Sequence, residues 1–291
     1  MQELIREYYT LEDGTKVPKI GFGCYNPRKQ DYVTIIKTAI DAGYRYFDTA
    51  SLYETERDLA RALKESGIDR KEVQIASKAW YDELGYEETK AAFNRTLERL
   101  ETDYLDFYML HWPKASENDP DWKEKDRDAW KALTELKKAG KIRHIGTSNF
   151  LPHHLENLEK TTDCAVELDQ LELHIGYSQE LAREYCQKQG ILVQAWGPLG
   201  RGRMNDNRII QDMAAKYGKT FSQIAIRFLL QKGIMPIPKA STREHMVDNA
   251  NVFDFELSTE DMWMLSCMPQ ETWQGEHPDF AVPKKASNPL Q

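Results

Sequence analysis

The sequence has few cysteines, no excess of basic residues and no long apolar run. Its four cysteines (Cys24, Cys164, Cys186 and Cys267) are too few and too scattered for a disulfide framework or a zinc cluster. Lys and Arg number 39 against 47 Asp and Glu, a net charge of −8, which disfavours nucleic acid or an anionic membrane as a general partner. No run approaches the about 20 apolar residues of a membrane span, and residues 1–9 lack the apolar region of a signal peptide. We expect a soluble cytoplasmic protein with reduced thiols and no obligate protein partner.

The chain also lacks a low-complexity linker. Its 291 residues could form two ordinary domains or one α/β barrel of the usual size of about 250 residues. What recurs is a short apolar strand, a loop and an amphipathic helix. The predicted strands, rich in β-branched and aromatic residues, are Lys19–Gly23, Tyr46–Asp48, Val73–Ser77, Leu105–Leu110, Ile142–Thr147, Val166–Leu171, Leu192–Ala195 and Ile234–Ile237.

Helical patterns lie between these strands. Apolar residues repeat at helical spacing from Ala92 to Leu100 and again in the segments 130–136, 209–217 and 221–229. Ser258 followed by acidic residues predicts the start of a last helix. Two alternating runs around Asp13-Gly14 predict a hairpin over residues 8–17.

Eight short strands alternating with helices indicate a parallel sheet, which is either a closed barrel or an open doubly wound sheet. A Gly-x-Gly-x-x-Gly turn after the first strand would favour the open sheet. Gly21-Phe22-Gly23 is followed by Cys24-Tyr25-Asn26, so this fingerprint is absent. The sequence therefore predicts an α/β fold, a (β/α)8 TIM barrel, as a single domain over residues 1–291.

Chemically capable side chains stand where the predicted strands end. Barrel enzymes build their sites from these carboxyl ends. Any one of these residues alone is more often a turn cap, a solvated charge or a packed ring, but together they indicate a catalytic mouth. They are Asp48, Lys78, His111, Ser148 with Asn149, Gln170 with Glu172, Trp196 and Lys239, with Tyr53 five residues past Asp48.

Several segments together resemble the aldo-keto reductase superfamily. They are Gly43–Ala50 with Tyr53 and Glu56, Ser77–Lys78, Leu110–Pro113, Gly146–Phe150, Ala195–Gly200 and Ile237–Lys239. The resemblance runs from the hairpin to about Phe280 and is nearest to compact microbial reductases of diketogluconate and methylglyoxal. It implies a barrel with an N-terminal hairpin plug and two additional helices, one of them from the segment 201–232. It also implies reversible hydride transfer between a nicotinamide cofactor and a small aldehyde or ketone.

The resemblance assigns a catalytic tetrad to Asp48, Tyr53, Lys78 and His111. Tyr53 would donate a proton to the developing alkoxide. A phenol's ordinary pKa is about 10, so we expect the Lys78 ammonium to lower the pKa of Tyr53. Asp48 would hold Lys78, and His111 would orient the carbonyl oxygen. No metal is needed.

By the same resemblance, Ser148, Asn149 and Gln170 should hold the nicotinamide carboxamide, and Trp196 should lie against its ring. The turn formed by Gly197, Pro198, Leu199 and Gly200 should let the backbone approach the pyrophosphate. The adenosine end should lie among Lys239, Ser241, His245 and Asn249. His245 stands where the family commonly has an arginine that pairs with the 2′-phosphate of NADPH. An imidazole loses the bidentate fork, so we expect NADPH as cofactor with NADH also accepted.

Tyr25, Trp80 and Trp112, with His111, are the predicted walls of the substrate pocket, closed by Trp273 and Phe280. Such an aromatic mouth suits a small-molecule carbonyl substrate. Two other functions stay open. One is a non-catalytic, redox-sensing subunit resembling the potassium-channel β subunits, which keeps the cofactor cradle. The other, argued from the residues alone, is a barrel hydrolase or isomerase that uses Asp48 and His111.

Overall fold

The computed structural model describes residue 5 and residues 7–25, 30–270 and 276–280. The strands are β1 Tyr8–Thr10, β2 Lys16–Pro18, β3 Phe22–Gly23, β4 Tyr46–Asp48, β5 Gln74–Ala79, β6 Leu105–Leu110, β7 Ile142–Ser148, β8 Leu168–Glu172, β9 Leu192–Trp196 and β10 Met235–Pro236. The helices are α1 Tyr32–Asp41, α2 Glu56–Ser66, α3 Tyr86–Leu100, α4 Trp122–Lys138, α5 Pro152–Glu159, α6 Glu180–Lys188, α7 Arg208–Tyr217, α8 Phe221–Gln231, α9 Arg243–Ala250 and α10 Thr259–Ser266.

Strands β3 to β10 form one parallel sheet in chain order. The sheet closes on itself because the Gly21 N–H donates to the Pro236 carbonyl at 3.1 Å and the Gly23 N–H to the Pro238 carbonyl at 3.2 Å. A side chain at Gly23 would place its Cβ 3.3 Å from the Ile237 carbonyl oxygen, so the close approach of the two strands favours glycine. The (β/α)8 barrel predicted from the sequence is confirmed.

The first and the last strand of the barrel are shorter than predicted, and β8 begins two residues later than predicted. The Lys19 N–H donates to the Glu7 carbonyl and so continues the hairpin rather than the barrel. On the last strand, Pro236 and Pro238 have no N–H to donate, which interrupts the hydrogen-bond ladder.

Two apolar layers hold the barrel together. Inside, large side chains such as Tyr46, Phe107 and Met109 fill the lumen. Outside, the apolar faces of the helices pack on the strands, as Ala92, Phe93 and Leu100 of α3 do. Each strand is thus buried on both faces, which explains its nearly continuous apolar sequence.

The hairpin β1–β2 covers the amino-terminal end of the barrel. It pairs Tyr9 with Val17, and Gly14 takes the positive φ of its turn (87°). Val17 is fully buried in the inner layer, and the Tyr9 hydroxyl donates to the carbonyl of Ile234, directly before the last strand. This end of the barrel is therefore plugged, and the opposite, carboxyl end is left for a site.

Within the described ranges, two helices exceed the eight-fold repeat. Both α7 and α8 lie between β9 and β10, and α10 follows α9 after the last strand. The predicted start of α10 is confirmed, since the Ser258 hydroxyl accepts from the Asp261 N–H at 3.1 Å. Among the described residues, no helix is both long and apolar enough to cross a bilayer.

Candidate active site

The predicted functional side chains meet at the carboxyl edge of the barrel because its strands are parallel. Asp48 ends β4, Lys78 is next to last in β5, and His111 directly follows β6. Ser148, Gln170 and Trp196 stand at or near the ends of the next three strands. Tyr53 is brought to the same edge by a short 3-10 turn, Ser51–Tyr53, after β4.

Lys78 and Asp48 form a buried ion pair at the floor of the site. The Lys78 side chain has no exposed area, and its Nζ lies 2.7 Å from each carboxylate oxygen of Asp48. Its third hydrogen bond goes to the Thr49 carbonyl at 3.0 Å. Desolvation lowers the pKa of Lys78, and the charge of Asp48 opposes that shift. All three ammonium donors are thereby committed to Asp48 and Thr49.

Tyr53 and His111 face each other above this pair. The Tyr53 hydroxyl lies 3.5 Å from His111 Nε2, at the outer limit of a hydrogen bond. The Lys78 ammonium lies 5.1 Å from the centre of the Tyr53 ring. The arrangement leaves an O–H and a ring nitrogen converging where a third oxygen could bind between them.

The prediction that Lys78 lowers the pKa of Tyr53 is wrong. Desolvation, followed by the charge of Asp48, raises the pKa of Tyr53 well above its usual value. The physical reason is that burial disfavours the charged phenolate and that the carboxylate of Asp48 offsets the charge of the Lys78 ammonium. Tyr53 is therefore a protonated phenol at neutral pH, which is the form that a proton donor needs.

His111 is neutral at ordinary pH. Desolvation, and then the charge of Lys78, lowers its pKa well below the usual value. Its Nδ1 is buried without a hydrogen-bond partner among the described residues. A bare lone pair there costs less than an unpaired N–H, so we assign the proton to Nε2, facing Tyr53. His111 can thus donate a hydrogen bond into the mouth.

The expected nicotinamide residues form one connected web. The Ser148 hydroxyl donates to the Gln170 carbonyl at 3.0 Å, and Asn149 Nδ2 donates to the Ser148 hydroxyl and to the His111 carbonyl. The indole N–H of Trp196 donates to Asn149 Oδ1 at 2.8 Å. Asn149 has a positive φ of 63°, a strained backbone of the kind that clusters at functional sites.

Sequence reasoning missed the inner partners of Gln170. Its Nε2 donates to Asp48 Oδ1 at 2.9 Å and to Gln194 Oε1 at 3.0 Å. Gln194 in turn donates to the Tyr46 hydroxyl at 2.7 Å. The available signal was a glutamine in the middle of the apolar strand Leu192–Trp196, because a polar residue in such a position needs partners.

The turn after Trp196 has open space beside its first residue. Gly197 has a φ of 59°, and a Cβ there would meet no atom within 4 Å. Pro198 is buried, Leu199 is half-buried, and Gly200 approaches the ring of His174. A ligand could therefore approach the backbone at Gly197.

The predicted adenosine residues lie along α9 and in the segment that leads into it. Thr242 caps this helix, Ser241 and His245 are exposed beside it, and the Ser241 hydroxyl donates to Gln30. Lys239 lies across the ring of Tyr32, while Asn249 is buried on the helix. The positive end of a helix dipole and nearby basic groups make this corner attractive to an anion.

The predicted pocket walls differ in exposure. Tyr25 is 43% exposed and its ring centre lies 5.1 Å from that of Tyr53. Trp80 is buried and meets the His111 ring edge-on at 4.7 Å, and Trp112 is buried directly after His111. Phe280 stacks on His277 and is 72% exposed, so it is not a buried wall. Trp273 lies outside the described residues.

A second polar cluster lies to one side of the mouth. His153 and His154 of α5 and Lys114 all approach Asp279 Oδ1, at 3.3, 3.1 and 2.8 Å. Such a His-His-Asp group could hold a metal ion. However, His154 Nδ1 accepts from the Leu151 N–H, which places the proton on the nitrogen that would have to bind a metal. We interpret the cluster as a hydrogen-bonded anchor for residues 276–280.

Comparison with known proteins agrees with this architecture. The aldo/keto reductase family profile matches residues 19–266. The chain is 40% identical over 280 residues to the glyoxal reductase of Bacillus subtilis, covering 96% of this chain and 99% of the relative. It is 34% identical over 271 residues to the methylglyoxal reductase DkgA of Escherichia coli, covering 92% and 96%. Among solved structures, a variant of Gox0644 in complex with NADPH has a TM-score of 0.86 at 33% identity, covering 94% of this chain and 97% of that one. The chain belongs to the aldo/keto reductase family.

Proposed function

We propose that the chain reduces the aldehyde or ketone group of small carbonyl compounds to an alcohol, with NADPH as cofactor. The main observation behind this proposal is that the Tyr53 hydroxyl and His111 Nε2 lie 3.5 Å apart above the buried Lys78–Asp48 ion pair. Relatives named for glyoxal and methylglyoxal support small dicarbonyls as the substrate class. The NADPH complex of a structural neighbour supports the cofactor.

The residues present fit a nicotinamide dinucleotide. Open space at Gly197 leaves the backbone free for a pyrophosphate, and the half-buried Trp196 ring is held by Asn149 where a flat ring could stack on it. Ser148, Asn149 and Gln170 would hold the carboxamide. The turn from Gly197 through Pro198 and Leu199 to Gly200 would contact the pyrophosphate. When bound, the cofactor supplies the hydride for the carbonyl carbon.

The chain's own residues supply orientation and the proton. In the proposal, His111 Nε2–H and the Tyr53 hydroxyl both bind the substrate oxygen, and Tyr53 transfers its proton as negative charge develops there. Such positioned acids and oxyanion donors each contribute about 2–4 kcal/mol. Asp48 holds the Lys78 ammonium in place beneath the Tyr53 ring.

The substrate would bind between Tyr25, Trp80 and Trp112. The buried indole of Trp80 fixes the His111 ring, and the exposed ring of Tyr25 covers Tyr53. An aromatic, mostly apolar mouth with two convergent polar groups suits a compact carbonyl compound.

The residues around α9 are the basis for the proposed preference for NADPH over NADH. Lys239, Ser241 and the neighbouring Arg243 would bind the 2′-phosphate of NADPH, and Asn249 would lie at the adenine side. His245 offers at most one hydrogen bond in place of an arginine fork. NADPH would therefore be preferred and NADH accepted at a lower rate.

We also propose that residues 1–291 form one barrel domain located in the cytoplasm. The four free cysteines, two of them buried, support a reducing compartment. A small-molecule substrate is the proposed partner.

Turnover distinguishes this proposal from a redox-sensing subunit. NADPH oxidation is followed by its nicotinamide absorbance with glyoxal, methylglyoxal and a ketose, and NADPH binding by quenching of tryptophan fluorescence. We expect multiple turnovers, and quenching that Trp196→Phe reduces. Binding without turnover on any carbonyl would instead favour the sensor, and a lack of NADPH binding would contradict both.

A further inference from the structure

The loop after β5 contains a carboxylate that joins three parts of the active-site edge. The Ser51 hydroxyl donates to Glu83 Oε2 at 2.6 Å, and the Trp80 N–H donates to the same oxygen at 2.9 Å. Arg95 of α3 donates to Oε1 at 3.0 Å. The Glu83 side chain is 13% exposed. It belongs neither to the tetrad nor to the expected cofactor residues.

The groups that Glu83 binds lie directly beside the reacting residues. Ser51 is the first residue of the 3-10 turn that ends in Tyr53, whose N–H donates to the Ala50 carbonyl. Trp80 packs edge-on against the His111 ring. Glu83 therefore links the turn that carries the proton donor to the loop that fixes the histidine.

Glu83 is ionised at neutral pH. Burial alone would raise its pKa, but hydrogen bonds from Ser51, the Trp80 N–H and Arg95 outweigh burial and lower it. An ionised carboxylate only accepts hydrogen bonds, so it can receive all three donors at once. Arg95 balances the charge from the solvent side.

We propose that Glu83 is a positioning residue for carbonyl reduction that fixes the Tyr53 hydroxyl relative to His111. The inference rests on the proposed function. The two groups must contact one substrate oxygen, and a misplacement of about 1 Å can cost about a hundredfold in rate. Because the Glu83 carboxylate binds both the Ser51–Tyr53 turn and the loop at Trp80, it restricts movement of Tyr53 relative to His111.

The test compares Glu83→Gln with Ser51→Ala, Glu83→Asp and the control Glu87→Gln. Glutamine has an NH2 group in place of one carboxylate oxygen, so a donor faces either Arg95 or the Ser51 hydroxyl and the Trp80 N–H, and one side of the bridge is lost. Ser51→Ala cuts the link to the Tyr53 turn while leaving the Arg95 pair intact. Glu87 is exposed in the first turn of α3 and tests loss of a nearby charge.

We expect Glu83→Gln to lower kcat with glyoxal and NADPH by about tenfold, with less than about twofold change in carbonyl KM and NADPH Kd. The solvent deuterium isotope effect on kcat should rise, because a misplaced donor makes proton transfer more rate-limiting. Ser51→Ala should lower kcat in the same direction, and the double variant should fall no further than Glu83→Gln. Glu83→Asp should recover part of the activity, and Glu87→Gln should match wild type.

Other results overturn the inference. If Tm falls in Glu83→Gln and Ser51→Ala but kcat and the isotope effect stay at wild-type values, Glu83 only braces the loop. If KM or NADPH Kd changes as much as kcat, its role is in binding. Wild-type turnover with unchanged kcat in both variants refutes the positioning role alone, whereas a wild-type chain without turnover refutes the proposed function as well.

Discussion

Replacing Lys78 by methionine should destabilise the folded protein strongly. The substitution removes two hydrogen bonds of 2.7 Å to Asp48 and one of 3.0 Å to Thr49. It also leaves the Asp48 carboxylate, only 6% exposed, without its cation. Removing one member of a buried ion pair costs about 3–5 kcal/mol. We expect Lys78→Met to lower the free energy of unfolding by that amount, a large share of the about 5–15 kcal/mol of a typical domain.

Urea unfolding, followed by tryptophan fluorescence, measures this loss. The same experiment on Asp48→Asn and on the double variant Asp48→Asn/Lys78→Met tests whether a buried, unpaired charge causes the loss of stability, because the double variant buries neither charge. We expect the double variant to be more stable than Lys78→Met by more than about 1 kcal/mol. The control is Lys131→Met, which breaks an exposed pair with Asp128 and should cost less than about 1 kcal/mol.

The account of the ion pair fails under either of two outcomes. One is a Lys78→Met variant within about 1 kcal/mol of wild type. The other is a double variant whose loss equals the sum of the two single losses, since independent sites add and a coupled pair does not.

Three further predictions concern other parts of the molecule. His245→Arg should raise the kcat/KM preference for NADPH over NADH by about ten- to a hundredfold, because one charge-assisted hydrogen bond contributes that much. An unchanged ratio, or a wild-type preference already near a thousandfold, would contradict the role given to His245. For reduction, kcat/KM should stay flat from about pH 6 to about pH 10. Activity needs protonated Tyr53, which is lost only as pH rises through its raised pKa, and neutral His111, which is lost only as pH falls through its lowered pKa. A decline in kcat/KM around the ordinary pKa of a phenol or of an imidazole would contradict these two protonation states. Asp279→Asn should cost about 1 kcal/mol at neutral pH by weakening the anchor to Lys114, with faster limited proteolysis near the carboxyl terminus. The hydrogen bond from His154 lowers the pKa of Asp279, so the carboxylate contributes to the free energy of unfolding above the unfolded carboxyl pKa of about 3.9. This contribution should vanish as pH falls well below that value. A stability difference between wild type and Asp279→Asn that persists at such a low pH would show another origin.

The barrel and the place of its site could be predicted because both follow from local pattern. Strand and helix periods alternate along the chain, and parallel strands end at one edge. Asp48, Lys78 and His111 therefore lie at the carboxyl ends of three neighbouring strands. Pro236 and Pro238 could also be seen in the sequence. Their effect on the last strand could not, because it depends on which neighbouring strand would accept a hydrogen bond from those positions.

The electrostatics could not be predicted in the same way. The direction of the Tyr53 pKa shift depends first on how deeply its hydroxyl is buried and then on the charge of Asp48, and no spacing in the sequence contains that burial. The partners of Gln170 and Glu83 depend likewise on contacts between distant segments, such as Gln170 with Gln194 and Glu83 with Ser51. Residue type at a strand end predicts which groups meet, but not which hydrogen bonds they form.

The central claim is that the Tyr53 hydroxyl donates the proton in carbonyl reduction by NADPH. Tyr53→Phe keeps the ring that packs against Tyr25 and His111 and removes only the oxygen. With glyoxal as substrate, kcat measured by NADPH oxidation should fall by about 10²- to 10⁴-fold, while the NADPH Kd from tryptophan quenching stays within about twofold of wild type. A Tyr53→Phe variant that retains full activity would contradict the claim.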